Sequence, residues 1–139
     1  VEVICAGVNS PKVWLKYLSY IEEINGSKIV YTENKSKEYG WKNLTQKFVF
    51  ENGNEYFDTV KTSFFIQGYI QSHLYCRPSC YDCKFKGFPR NSDITIGDFW
   101  GLEQHNSKYD KDMGTNVVLI NSKKGMQYFD IVKKRINYE

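Results

Sequence analysis

The sequence has no apolar run long enough to span a bilayer, and no segment patterned like a secretory signal. The first absence excludes a spanning helix. The second removes an oxidising compartment as the reason for the cysteines, so the protein is expected in the cytoplasm. Histidine is scarce. His73 and His105 are the two, and neither stands in a motif with a partner, so both read as surface or satisfied structural residues. No Ser/His/Asp arrangement, phosphate-binding glycine loop or paired-carboxylate site stands out. The net charge of +3 is too small to argue for nucleic acid as a partner. No repeat and no linker divides the 139 residues, so one domain over 1–139 with a real core is expected. The initiator Met is missing, and "VEVICAGV" reads as a strand already under way, so the chain is expected to be a piece of a longer protein.

Aromatic residues, by contrast, are plentiful: 17% of the chain, with 11 Tyr and 9 Phe. An aromatic core and half-buried strand faces account for most such residues. A surface that stacks on planar rings, such as a flavin or a base, is the alternative. The triplets starting at Asn25, Asn34 and Asn43 read as loop polarity rather than glycosylation sites.

Periodicity orders the chain. Residues 1–8 predict a buried strand. Ser10 as cap, Pro11 in the first turn and Gly26 as stop predict a helix over about 11–25, with Val13, Trp14, Tyr17, Leu18, Ile21 and Ile24 on its apolar face. "KIVYTENK", "TQKFVFENG" and "NEYFDTV" read as strands, with Phe48 and Phe50 on one face and "ENGN" as a hairpin turn. Residues 63–75 predict a helix whose Phe64, Phe65, Tyr69, Ile70 and Leu74 share a face. The cysteine segment reads as a loop and "DITIGDFW" as a strand. Residues 101–114, with "DKDMG", read as a flexible surface loop, and "NVVLINS" as a central strand. "KKGMQYFDIVKKRI" closes the chain as an amphipathic helix with Met126, Phe129, Ile131 and Val132 apolar. The order predicts a mixed α/β (α+β) fold: one mixed sheet with antiparallel middle strands, flanked by about three helices.

Chemistry concentrates in "CRPSCYDCKFKGFPRNSDITIGDFWG", Cys76 to Gly101, where three of the four cysteines fall within eight residues. Two disulfides are arithmetically possible, but a domain of this length needs no staples. A redox C-x-x-C at Cys80 and Cys83 would normally open a helix, and between Pro78 and "KFKGFPR" no helix signal shows. Zinc wants four ligands: Cys76, Cys80 and Cys83 supply three, with Cys5 or His73 as a fourth, but a second C-x-x-C knuckle is missing. An iron–sulfur cubane wants four thiolates, some distant in sequence, and Cys5 is the distant candidate. Cys5 is equally readable as an inert buried residue. Arg77, Lys84, Lys86 and Arg90, against Asp82, would favour thiolates and offset a cluster's charge, or simply form a solvated loop. In "GDFWG", Gly97 and Gly101 let backbone approach a cofactor. Asp98 offers an acceptor, and Phe99 and Trp100 can cover a ring. A strand end anchored by a buried Trp explains the same residues.

Taken together, "CAGVNSPKVWLKYL", "RPSCYDCKFKG" and "SDITIGDFWG" resemble the C-terminal domain of the coenzyme F-420 hydrogenase/dehydrogenase beta subunit family, from Cys5 to the closing helix. The resemblance implies the 4Fe-4S-carrying part of a flavin-dependent oxidoreductase. Such a protein relays electrons between FAD, the cluster and a partner or substrate such as F-420 or ferredoxin. Some relatives are tied to polysaccharide synthesis, so a zinc-stabilised or metal-free scaffold without redox activity is the alternative. Carried over, the cluster ligands fall on Cys5, Cys80 and Cys83. The fourth family cysteine belongs to an upstream Thr-Pro-Cys segment this chain lacks, and Cys76 could substitute for it. Gly97, Asp98, Trp100, Lys84, Lys86 and Arg90 are the candidate cofactor-binding residues. Ala6 and Asn9 stand where the family motif has His and Pro, which puts proton transfer or cluster tuning at that point in question.

Overall fold

The computed structural model describes residues 1–109 and 112–138. Asp110 and Lys111, part of the expected 101–114 loop, lie outside the described residues. In chain order the elements are β1 (Glu2–Val3), α1 (Pro11–Asn25), β2 (Ile29–Ser36), β3 (Thr45–Phe50), β4 (Glu55–Thr59), α2 (Phe64–Ile66), α3 (Pro78–Tyr81), β5 (Ile94–Asp98), α4 (Leu102–His105), β6 (Asn116–Ile120) and α5 (Lys123–Val132). The fold is mixed α/β with antiparallel middle strands, as expected. Among the described residues its strands divide between two three-stranded sheets instead of one. Contacts group the chain into two compact units, Ala6–Asp82 on one hand, and Val1–Cys5 with Cys83–Glu139 on the other.

The 6–82 unit is a helix on an antiparallel meander. Pro11 in the first turn starts α1, and Gly26, left-handed at φ 63°, stops it. The Ser10 hydroxyl makes no capping bond. The main chain anchors this end of the helix: Ser10 N–H is donated to the Tyr75 carbonyl at 2.8 Å, and Ser10 C=O accepts the first helical bond, from Trp14 at 3.0 Å. Tyr17 and Ile21 are buried, with Val13, Trp14 and Leu18 packed beside them, whereas Ile24 is exposed. β2, β3 and β4 pair in sequence order, and Gly53 at φ 81° turns the β3–β4 hairpin. Phe48 and Phe50 both face inward and join Tyr17, Ile21 and Phe65 in the core. The Tyr17 and Phe65 rings stack with centroids 4.7 Å apart.

The expected helix over 63–75 forms for one turn only. The Ser63 hydroxyl accepts from Ile66 N–H and caps α2, after which Gln67–Gln71 widens into a π turn. Gly68 permits this, because the Tyr75 ring occupies the space a side chain there would need, 2.6 Å from its Cβ position. The Tyr75 hydroxyl donates to the Phe65 carbonyl. The wider turn shifts the register of the residues that follow it. Phe65 and Ile66 are buried, while Phe64 and Leu74, expected inside, are exposed.

In the other unit β5 is central: β1 pairs with it in parallel and β6 antiparallel. The apolar run of β6 was expected at the centre, yet it takes an edge and leaves Val118 partly exposed. β1 is two residues long, not eight. Its last ladder bond runs from Ile4 N–H to the Ile96 carbonyl. α5 is capped by Ser122, whose hydroxyl accepts from Gly125 N–H and donates to Asp93. Gly125 lies so close to the Asp93 carbonyl that a Cβ would stand 2.2 Å from it. Met126, Ile131 and Val132 are exposed, so the stripe on α5 is largely uncovered within the described residues. The 101–114 segment is not plain loop: it holds α4, anchored by buried Leu102, and a 3-10 turn over Ser107–Tyr109.

Glu2 ties β1 down. It accepts from the Thr95 hydroxyl at 2.8 Å and from Arg90 Nε at 2.5 Å. Chiefly through Thr95, and then Arg90, its carboxyl is held below the usual carboxylate range, against an opposing effect of burial. A lowered folded pKa contributes stability above the ordinary carboxylate pKa and loses it as pH falls through the folded value. Urea midpoints for wild type and Glu2→Gln should therefore differ at neutral pH and converge in acid. A difference that stays constant with pH would assign the effect to something other than this carboxylate.

Candidate functional site

In the 6–82 unit the sulfurs of Cys76 and Cys80 both approach Gly7. Gly7 has φ 105°, and a Cβ there would stand 3.1 Å from Cys76 Sγ and 3.7 Å from Cys80 Sγ. The surrounding backbone is pinned by paired bonds. Asn9 bridges Cys76, Arg77 N–H is donated to Val8 C=O at 2.8 Å, and the Tyr69 hydroxyl donates to Gly7 C=O at 2.5 Å. Val8 N–H points at Cys80 Sγ, 3.4 Å away. The Cys80 sulfur thus accepts a hydrogen bond from the main chain.

Cys80 sits in α3, where a loop without helix signal was expected. Pro78 in the first turn is the signal, since its missing N–H costs nothing there. Cys76 is buried, and the tyrosine beside it, Tyr75, has its phenol pushed up by burial and then by Cys76. His73, at φ 50°, places Nδ1 3.8 Å from Cys76 Sγ, and its carbonyl accepts from the Tyr81 hydroxyl. It is therefore a neighbour of a thiol, not the isolated histidine its sequence context suggests. The four cysteines are thiols, not cystines.

In the other unit Cys5 is exposed and Cys83 half-buried, with Cys83 C=O accepting from Lys86 N–H at 3.2 Å. Lys84 and Lys86 alternate with Phe85, and Phe85 and Phe88 are well exposed. Arg90 is engaged by Glu2. The room left by Gly97 is filled by the Ile4 side chain, 2.7 Å from where a Cβ would be. Asp98 closes β5 in register with Asn116, and Trp100 is half exposed, so it is not a buried anchor.

A 4Fe-4S cluster is the group the family motif implies. The sulfurs at Cys76 and Cys80, with an amide aimed at one of them, have the donor chemistry of thiolate ligands. Among the described residues no three of His, Cys, Asp and Glu gather to hold a metal ion. Nor is any helix among them long and apolar enough to cross a membrane.

A second polar cluster in the 6–82 unit was missed by sequence reasoning. Asp58 is buried and accepts from the Tyr17 hydroxyl at 2.5 Å and from the Thr62 hydroxyl at 2.8 Å. Burial, then the bond to Asp58, pushes the Tyr17 phenol far above its ordinary value. The signal was available. Strand alternation puts Asp58 on the same face of β4 as Tyr56, which lies opposite Phe48.

No curated protein and no solved structure matches the chain. The family model for the C terminus of the coenzyme F420 hydrogenase/dehydrogenase beta subunit matches residues 1–139, the whole of the sequence. With a match of that extent, the chain belongs to this family, the C-terminal regions of oxidoreductase beta subunits.

Proposed function

We propose that the chain is the cluster-carrying part of a flavin-dependent oxidoreductase, with a 4Fe-4S cluster on Cys5, Cys80 and Cys83 and Cys76 as the fourth candidate. The observation that carries this reading is the thiol pair at Gly7, with Val8 N–H aimed at Cys80, inside a chain that matches the family throughout. When bound, the cluster supplies one-electron transfer between FAD in the whole protein and a redox partner such as ferredoxin or F-420. This chain's own residues do the rest. Gly7 leaves room for two sulfurs, and the Val8 amide donates to Cys80 Sγ. Lys84 and Lys86 would supply positive charge, and Asp98 and Trp100 would border a cofactor, whereas Arg90 is taken by Glu2 and the space at Gly97 by Ile4. As a domain of a beta subunit it works beside partner proteins, in the cytoplasm. A second reading is a metal-free or zinc-stabilised scaffold without redox activity.

Iron and acid-labile sulfide analysis separates the two. The full-length protein, purified without oxygen, should carry about four irons and about four sulfides per chain. Both should be lost in Cys80→Ser and in Cys5→Ser. Zinc in their place, or no metal with folding unchanged, would overturn the redox reading.

A further inference from the structure

We propose that the cleft over Asp58 binds a small organic cation, a methylated or alkylated ammonium group. The cleft encloses about 270 Å³ and is lined by Tyr17, Tyr20, Tyr56, Asp58, Thr62 and Phe64, all within the 6–82 unit. Asp58 is 4% exposed, yet it borders this space. Its two oxygens accept from neutral hydroxyls, one each from Tyr17 and Thr62. Among the described residues no lysine, arginine or histidine forms an ion pair with it. The carboxyl group thus has neutral partners on both oxygens, and a cation from outside would complement it.

The lining specifies what kind of cation. Four aromatic rings border the space, and ring faces attract cations through their quadrupole. Because Thr62 and Tyr17 already occupy the carboxylate, a ligand that brings charge without its own strong donors fits better than a primary amine. A methylated ammonium has that character. Tyr20 and Phe64 are exposed at 50% and 80%, which leaves the rim open to an incoming ligand.

The probe is choline, with 3,3-dimethylbutan-1-ol as its neutral isostere. Ring-proton shifts of Tyr20 and Tyr56 are followed by NMR during titration of the full chain. Choline should bind saturably, and the neutral isostere on the order of tenfold more weakly. Tyr20→Ala, a half-exposed site, should weaken choline by about twofold to fivefold with the fold unchanged by circular dichroism. Asp58→Asn should weaken it further. If that variant unfolds, Tyr20→Ala and the isostere still decide. Equal affinity for choline and the isostere would reduce the cleft to an apolar slot and overturn the proposal. So would the absence of saturable shifts, or preferential binding of a methyl glycoside.

Discussion

Phe48→Ala should destabilise the 6–82 unit by about 3–5 kcal/mol, the range for deleting a fully buried Phe side chain. Phe48 is 0% exposed at the centre of β3. Its ring meets Tyr17 edge-on with centroids 5.9 Å apart, and Tyr56 at 6.3 Å. The cavity left by alanine would open within the cluster of Tyr17, Ile21, Phe50 and Phe65, which α1, β3 and α2 hold in place. Little collapse is available there, so both the transfer and the cavity contributions are expected in full. Urea unfolding gives the value. Phe64→Ala is the control: that ring is 80% exposed and should change stability by no more than about 0.5 kcal/mol. Similar losses for the two would contradict the inward face described for β3.

Gly7→Val is the second large effect. At φ 105° a branched side chain carries about 1–3 kcal/mol of backbone strain. Its Cβ would also press against Cys76 Sγ at 3.1 Å, and crowding of that kind costs roughly another 1–3 kcal/mol. The sulfurs of Cys76 and Cys80 are the atoms displaced, so both thiols should react faster with an aromatic disulfide reagent. Unchanged stability together with unchanged thiol reactivity would mean that the two sulfurs do not need the space Gly7 leaves.

Local rules made much of this chain legible. Pro11 and Gly26 bound α1, and Gly53 with its neighbours set the β3–β4 hairpin, because each signal acts within a few residues. Non-local choices were not legible. The apolar run of β6 reads as central, yet β5 takes the centre because it accepts β1 from the far end of the sequence. The π turn depends on Tyr75 packing onto Gly68, a contact no periodicity reveals. The candidate site divides the same way. The cysteine motif stands out in sequence, but which sulfurs meet does not. Cys76 reaches Gly7 through the bridge to Asn9, and His73 follows it there.

The pairing of β1 with β5 also sets an order of events during synthesis. The ribosome makes β1 first, then the whole continuous 6–82 unit, and only afterwards the strand that receives Glu2 and Val3. At roughly 5–20 residues per second, β1 waits several seconds for its partner. The helix-and-meander unit has all its strands within that interval, so its pairing can be complete before β5 is made. The discontinuous unit closes later, once its two stretches of chain have both been made.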